Sequence, residues 1–255
     1  MNLKVLGCLS PYSKGNDNCP GYLIEDDKYK IMLDCGNGCT NNLNMNEDLK
    51  NMIIIISHLH NDHYGDLLSM AYTSYVYYNL GIINDYIKVY IPYPKSKGEK
   101  LIYDYLLSFK ESKLKFILYD ENTKIRHGNM NVDFKGANHS ITTYYIKVSN
   151  KYEKLVYSAD TGYSDSLIEF STSADLLICE TTFLKLQVKS TNYHLNTIEA
   201  GTIAKKANVK LLLITHFWPE IDKKKYLNET KEVFDLTTVA ESNKVIQLGG
   251  IYGKR

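Results

Sequence analysis

Apolar and polar positions follow two different rhythms along this chain. Four short runs are apolar almost throughout: Met52–Ile56, Leu155–Tyr157, Leu176–Cys179 and Leu211–Ile214. Runs of this length, rich in Ile, Leu and Val, predict strands buried on both faces. Between them apolar residues return at helical spacing. Tyr64–Tyr78 is one such stretch, and Glu99–Lys110 carries Leu101, Tyr105, Leu106 and Phe109 on one stripe. Asn196-Thr197-Ile198-Glu199 reads as a capping box, opening a helix towards Asn208. A further helix is expected over Lys223–Ala240. The opening third reads differently: Gly21–Glu25 and Tyr29–Asp34 flank a turn at Asp26-Asp27-Lys28, which predicts a hairpin. Buried strands separated by helices imply a layered α/β domain with helices outside, although the strand order is not readable. Without a linker or low-complexity segment, residues 1–255 read as one domain.

Composition narrows the classes. A chain of 255 residues, 44% hydrophobic and 23% charged, is that of a globular protein able to bury a core unaided. Thirty basic against twenty-nine acidic residues leave a net charge of +1, which excludes binding nucleic acid or membrane through a bulk field. No apolar run approaches the length that crosses a bilayer, and Met1-Asn2-Leu3-Lys4 does not read as a signal peptide, so a cytoplasmic location without membrane partners is expected. The five cysteines are an odd number, unlike a disulfide framework. Cys35-x3-Cys39 is the only close pair, so the cysteines read as reduced and half-buried rather than as a thiolate zinc site. The lysines at 205, 206, 210 and 223–225 read as a solvated face, and His127 as a surface turn residue.

The informative feature is what stands at the end of each apolar run. The first opens into His58-Leu59-His60-Asn61-Asp62-His63, the second into Asp160, the third into Glu180 and the fourth into His216. In α/β sheets ligands sit beyond the strand ends, so these residues can meet there. His58-x-His60-x-Asp62-His63 places four candidate metal ligands within six residues, enough to face two ions once later residues join. Phe217 and Trp218, beside His216, are readable as pocket lining or as core.

This pattern resembles the metallo-β-lactamase superfamily over roughly residues 5–220. The His58–His63 loop resembles its hallmark, and Asp34, His139, Asp160 and His216 fall in the family's order. The resemblance implies a four-layer αββα sandwich and a dinuclear site. In it His58, His60 and His139 hold one ion, Asp62, His63 and His216 the other, Asp160 bridges, and Asp34 orients the loop. Glu180-x-Thr182 and His194 resemble the ribonuclease Z and phosphodiesterase branch, where such a pair protonates the leaving oxygen. In that assignment Asp62, Glu180 and His194 are the catalytic residues.

An all-nitrogen-and-oxygen donor set suits two zinc ions and tolerates manganese. Only twenty residues separate His139 from Asp160. That leaves room for a hairpin, Ile141–Val148 and Leu155–Tyr157, but not for the long arm with which ribonuclease Z proteins commonly grip transfer RNA. A phosphodiesterase acting on a small phosphodiester or a nucleic-acid end is therefore expected. The alternatives are a carbonyl hydrolase (thioester, lactone or β-lactam), transfer-RNA 3′ processing, or a metal-stabilised binding module. The family often forms dimers, and the Tyr-rich stretch Tyr72–Tyr86 reads equally as an interface or a buried helix. The loops Ser10–Asn18 and Tyr75–Lys97 follow no readable pattern.

Overall fold

A computed structural model describes residues 1–187 and 192–249. The chain opens with β1 (Asn2–Gly7) and the hairpin β2 (Gly21–Asp26) and β3 (Tyr29–Leu33). The short helix α1 (Met45–Asp48) leads to β4 (Met52–Ile55), and the short helix α2 (Asn61–Tyr64) runs on to α3 (Leu67–Asn79). Then come β5 (Ile87–Pro92), α4 (Lys97–Leu107) and β6 (Leu114–Tyr119). The second half repeats this plan. An antiparallel meander of β7 (Ile125–His127), β8 (Met130–Gly136), β9 (Tyr144–Ser149) and β10 (Lys154–Tyr157) comes first. It is followed by α5 (Asp165–Ser171), β11 (Leu176–Glu180), α6 (Thr197–Lys206), β12 (Leu211–Thr215), α7 (Lys223–Lys231) and β13 (Thr237–Val239). Finally β14 (Val245–Gln247) returns to the first sheet.

The strands form two seven-stranded sheets, ordered β14-β1-β2-β3-β4-β5-β6 and β13-β12-β11-β10-β9-β8-β7. The inner faces meet in a core that includes Val5, Tyr22, Ile31 and Ile55 from one sheet and Val148, Leu155, Ile178 and Leu213 from the other. A second core, with Leu23, Met32, Ile54 and Val89, packs under Leu67, Met70 and Leu106 of α3 and α4. With α5 to α7 against the second sheet, the layers run helix, sheet, sheet, helix. This is the αββα sandwich.

Register positions the site. In the first sheet β3 and β4 are parallel, with Leu33 opposite Ile55, so Asp34 and the Ser57–His63 loop leave at the same edge. In the second, parallel β10, β11 and β12 set Tyr157 beside Ile178 and Glu180 beside Thr215, delivering Asp160, Glu180 and His216 together. Asp34, Ala159 and His216, at or beside these strand ends, take left-handed backbone angles with φ of 57°, 48° and 66°. Such conformations are costly for residues with a Cβ and gather where geometry is over-determined.

The structure departs from the pattern reading in several places. The helix expected over Lys223–Ala240 stops at Lys231, because Thr237-Thr238-Val239 is a β-branched run that pairs with β12 instead. Tyr75–Lys97 is not a loop but the end of α3 and then β5, whose Ile87, Val89 and Ile91 are buried. α3 itself buries Leu67, Met70, Ala71 and Ser74 and exposes Tyr72, Tyr75 and Tyr78. His127 ends β7, where its Nε2 lies 2.8 Å from the Asn51 carbonyl and its ring packs edge-on to Tyr29, so it is half-buried rather than a free turn residue. The cysteines are fully buried, not half-buried, because the chain packs them into the two cores and under the loop before β2. Among the described residues no cysteine joins a metal-like cluster. Lys223 leaves the solvated face: its Nζ donates to Asp17 (2.6 Å), to the Ala240 carbonyl (3.2 Å) and to Cys8 Sγ (3.2 Å).

Candidate metal centre

Two groups of donors converge at the shared sheet edge. His58, His60, His139 and Asp160 form one, and Asp62, His63 and His216 the other, each with its donor atoms within 4.8 Å of one another. His60 Nδ1 lies 3.1 Å from His58 Nε2 and 3.2 Å from His139 Nε2. In the second group His63 Nε2 and His216 Nε2 are 3.3 Å apart, and Asp62 Oδ2 lies 3.6 and 3.7 Å from them. Asp160 divides between the two: Oδ2 faces His58 Nε2 at 3.6 Å, while Oδ1 faces His216 Nε2 at 3.0 Å and His63 Nε2 at 3.3 Å.

The outward side of each ring explains the inward one. Ser57 Oγ donates to Asp34 Oδ2 (2.9 Å), so it accepts from His58 Nδ1 at 3.0 Å. Thr182 Oγ1 donates to Glu180 Oε2 (2.8 Å), so it accepts from His216 Nδ1 at 2.8 Å. His63 Nδ1 donates to Asp34 Oδ2 at 2.7 Å, and His139 Nδ1 to the Tyr193 carbonyl at 3.0 Å. With Nδ1 spent on the protein, each of these rings, when neutral, turns the lone pair of Nε2 inward, the arrangement second-shell partners impose on metal-binding histidines. Asp160 Oδ1 is buried without a partner of hydrogen-bonding geometry. Clustered lone pairs around an unsatisfied carboxylate oxygen fit divalent cations and little else.

Charge follows the same division. Burial pushes His58 well down, and His60 and His139 down as well, His139 to about 4, which favours the neutral ligand form. For His63 and His216 burial acts in the same sense, but the carboxylates of Asp160 and Asp62 outweigh it and raise both, His216 to about 10. Burial opposes ionisation of Asp62 too, yet the charges of His63 and His216 and the hydrogen bond with His216 bring it down to about 2.

Asp34, Glu180 and His194, named from the sequence, stand behind the donors together with Ser57, Tyr157, Ser10 and Gly36, which carry no sequence signal. Asp34 is wholly buried and accepts from Ser57 N (2.6 Å), Ser57 Oγ, Tyr157 Oη (2.7 Å) and His63. Tyr157 comes from the other sheet, 123 residues away, so no local pattern marks it. Ser10 Oγ donates to Asp62 Oδ2 at 2.8 Å from a loop that looked patternless. Gly36 lets α2 approach: a Cβ there would lie 1.9 Å from the Asp62 carbonyl. Glu180 Oε1 accepts from Thr161 N (3.0 Å) and pairs with His194 Nδ1 at 2.9 Å. His194 Nδ1 also lies 4.0 Å from Asp160 Oδ2, which brings the pair to the centre. The residues beside His216 separate: Phe217 is buried against Tyr226, with ring centroids 4.9 Å apart, whereas Trp218 is partly exposed against Phe183.

Fold and site together define a metallo-hydrolase. The chain belongs to the beta-lactamase superfamily, whose domain model matches residues 29–217. A probable metallo-hydrolase of Bacillus subtilis, YhfI, is 30% identical over 218 residues, covering 85% of this chain and 86% of that protein. The YhfI crystal structure superposes with a TM-score of 0.85 at 28% identity, over 96% of this chain and 98% of that one. A ribonuclease Z of Clostridium perfringens is 27% identical over 281 residues, covering 84% of this chain and 88% of the other. Human tRNase Z, short form, shares the fold with a TM-score of 0.73 at 21% identity, over 97% and 99% of the two chains.

Proposed function

We propose that residues 1–255 act as one dinuclear phosphodiesterase domain that cleaves a small phosphodiester or an accessible nucleic-acid end. The observation that carries this reading is the His194–Glu180 pair, 2.9 Å apart at the rim of the donor clusters. His58, His60, His139 and Asp160 Oδ2 would hold one cation, and Asp62, His63, His216 and Asp160 Oδ1 the other. Zinc suits these donors and manganese is tolerated. Bound there, the cations supply Lewis acidity that activates water and draws charge from the phosphoryl oxygens.

The chain supplies the proton. An alkoxide is a poor leaving group unless it is protonated as the bond breaks. Burial disfavours the His194 imidazolium, but the charge and hydrogen bond of Glu180 outweigh it and raise the pKa. Glu180 is fixed in turn by Thr161 N and by Thr182 N and Oγ1. Glu180 thus favours the protonated form of His194, which gives its proton to the departing oxygen. Thr182, touching both Glu180 and His216, ties this donor to the second cation group. Between His139 and Asp160 the chain makes only the β9–β10 hairpin with a turn at Asn150–Glu153, which suits a compact substrate. Likeness to a protein named ribonuclease Z supports phosphodiester chemistry.

The test is hydrolysis of bis(p-nitrophenyl) phosphate by zinc- or manganese-loaded protein, with Asp62→Ala as the blank. His194→Ala should cost little with this good leaving group and about a hundredfold or more with an alkyl diester. Equal losses on both would remove the proton-donor role. Turnover confined to thioesters or lactones would move the reaction to carbonyl substrates.

A further inference from the structure

Two exposed aromatic rings stand near the proton donor. Trp218, the only tryptophan in the chain, is 36% exposed, and Tyr193 is 47% exposed. The indole meets the nearly buried Phe183 perpendicularly at 5.4 Å and 79°, and Phe183 meets His194 at 6.1 Å and 86°. Tyr193 meets His139 perpendicularly at 6.1 Å and 86°, and His139 lies 5.1 Å from His194. The Tyr193 backbone is tied to the centre as well, since its carbonyl accepts from His139 Nδ1. Each exposed ring is thus one aromatic neighbour away from His194, and its perpendicular contact holds it without covering both faces.

We infer that Trp218 and Tyr193 form a stacking clamp for a nucleobase carried by the departing half of the substrate. The inference rests on the phosphodiesterase reading and names its substrate class: a diester whose leaving alcohol is a nucleoside. His194 protonates the departing oxygen, so whatever stands against the rings beside it belongs to the departing half. A planar aromatic attached to a phosphodiester is, in the main, a nucleobase. Exposed aromatic rings beside a charged centre are the platforms on which bases stack, with little discrimination among bases because each has a π-face. The clamp selects for a base on the leaving side and leaves the other half unread.

Two readouts separate this inference from the reading beneath it. Trp218 is the sole indole, so its fluorescence in the metal-loaded protein reports the clamp without turnover. Adenosine should quench it saturably and ribose should not; equal responses to both, or to neither, overturn the clamp. The kinetic arm compares adenylyl-adenosine with two analogues, each lacking the base on one half. Removing the base from the departing half, identified from the products, should lower kcat/KM about tenfold. In Trp218→Leu, and in Tyr193→Ala should the first fail to fold, that difference should shrink towards none. Loss of rate on removing the other base instead, or a difference that persists in both variants, overturns the assignment. Quenching by adenosine in a protein that cleaves no diester keeps the clamp and removes the phosphodiesterase reading; cleavage without base dependence does the reverse.

Discussion

One carboxylate joins both halves of the centre. Asp160 turns Oδ2 to His58 and Oδ1 to His63 and His216, so no other side chain can replace it. Asp160→Ala is expected to retain less than one tightly held cation per chain by elemental analysis, against the two expected of the wild type on the proposed dinuclear assignment. Tyr157 acts at one remove. Its hydroxyl is one of four donors to the buried Asp34, and hydrogen bonds to a buried charge are worth about 1.5–3 kcal/mol. Tyr157→Phe should lower metal affinity roughly tenfold or more by competition with a chelator, since the groups behind a ligand typically tune affinity by that much. The cysteines are inert for the opposite reason. Burial pushes the Cys8 and Cys19 thiols up to about 12, so at pH 8 almost no thiolate forms. Native protein should therefore react negligibly with a thiol reagent that titrates all five cysteines in denaturant. At this scale the sequence displays the donors themselves, because the His58–His63 cluster is local. It hides Tyr157, Ser10 and Ser57, whose serine and tyrosine hydroxyls gain meaning only when distant strands meet.

At the scale of elements, α4 does more than cover a sheet. Its capping box joins Ser96 and Glu99, and Glu99 also accepts from Thr142 N at 2.9 Å, clamping the loop that follows His139. Burial opposes the Glu99 charge, but hydrogen bonds from Thr142 and Ser96 outweigh it and lower the pKa. A depressed carboxylate contributes above its unfolded pKa, near 4.3, and loses that contribution as pH falls through the folded value. Glu99→Gln should therefore cost about 2 kcal/mol in denaturant melts at pH 7, and the gap should narrow below about pH 4. The capping box of α6 was legible because its residues are adjacent in sequence. The end of α7 was not: lysines and Tyr226 continue a helical rhythm, and only the pairing of Thr237–Val239 with β12 stops it. β5 shows its alternation in Ile87, Val89 and Ile91, yet it sits among tyrosines that blur the contrast.

Across the whole molecule the layered α/β class follows from the spacing of apolar runs, whereas the order of strands does not. Pairings such as β1 with β14 join residues more than two hundred positions apart, and nothing in either segment announces the other. The donor groups likewise draw on both sheets, so a bound cation holds the two together. At a thousandfold excess over its dissociation constant, binding to the folded state alone adds about 4 kcal/mol. Stripping the metals should lower the melting temperature by roughly 10 °C in scanning calorimetry, and readdition of zinc should restore it.

The segregation of the first half into one sheet has a consequence for birth on the ribosome. Once Tyr119 has emerged, β1 to β6 can pair, but the inner face bearing Val5, Tyr22, Ile31 and Ile55 has nothing to cover it. Its cover is complete only after β12 and β13, about 6–24 seconds later at ordinary translation speed. β14 then closes the outer edge of β1, sealing the older sheet with the youngest strand. Nascent chains arrested once Tyr119 has emerged should accordingly be captured by holdase chaperones, and full-length chains freed from the ribosome released from them.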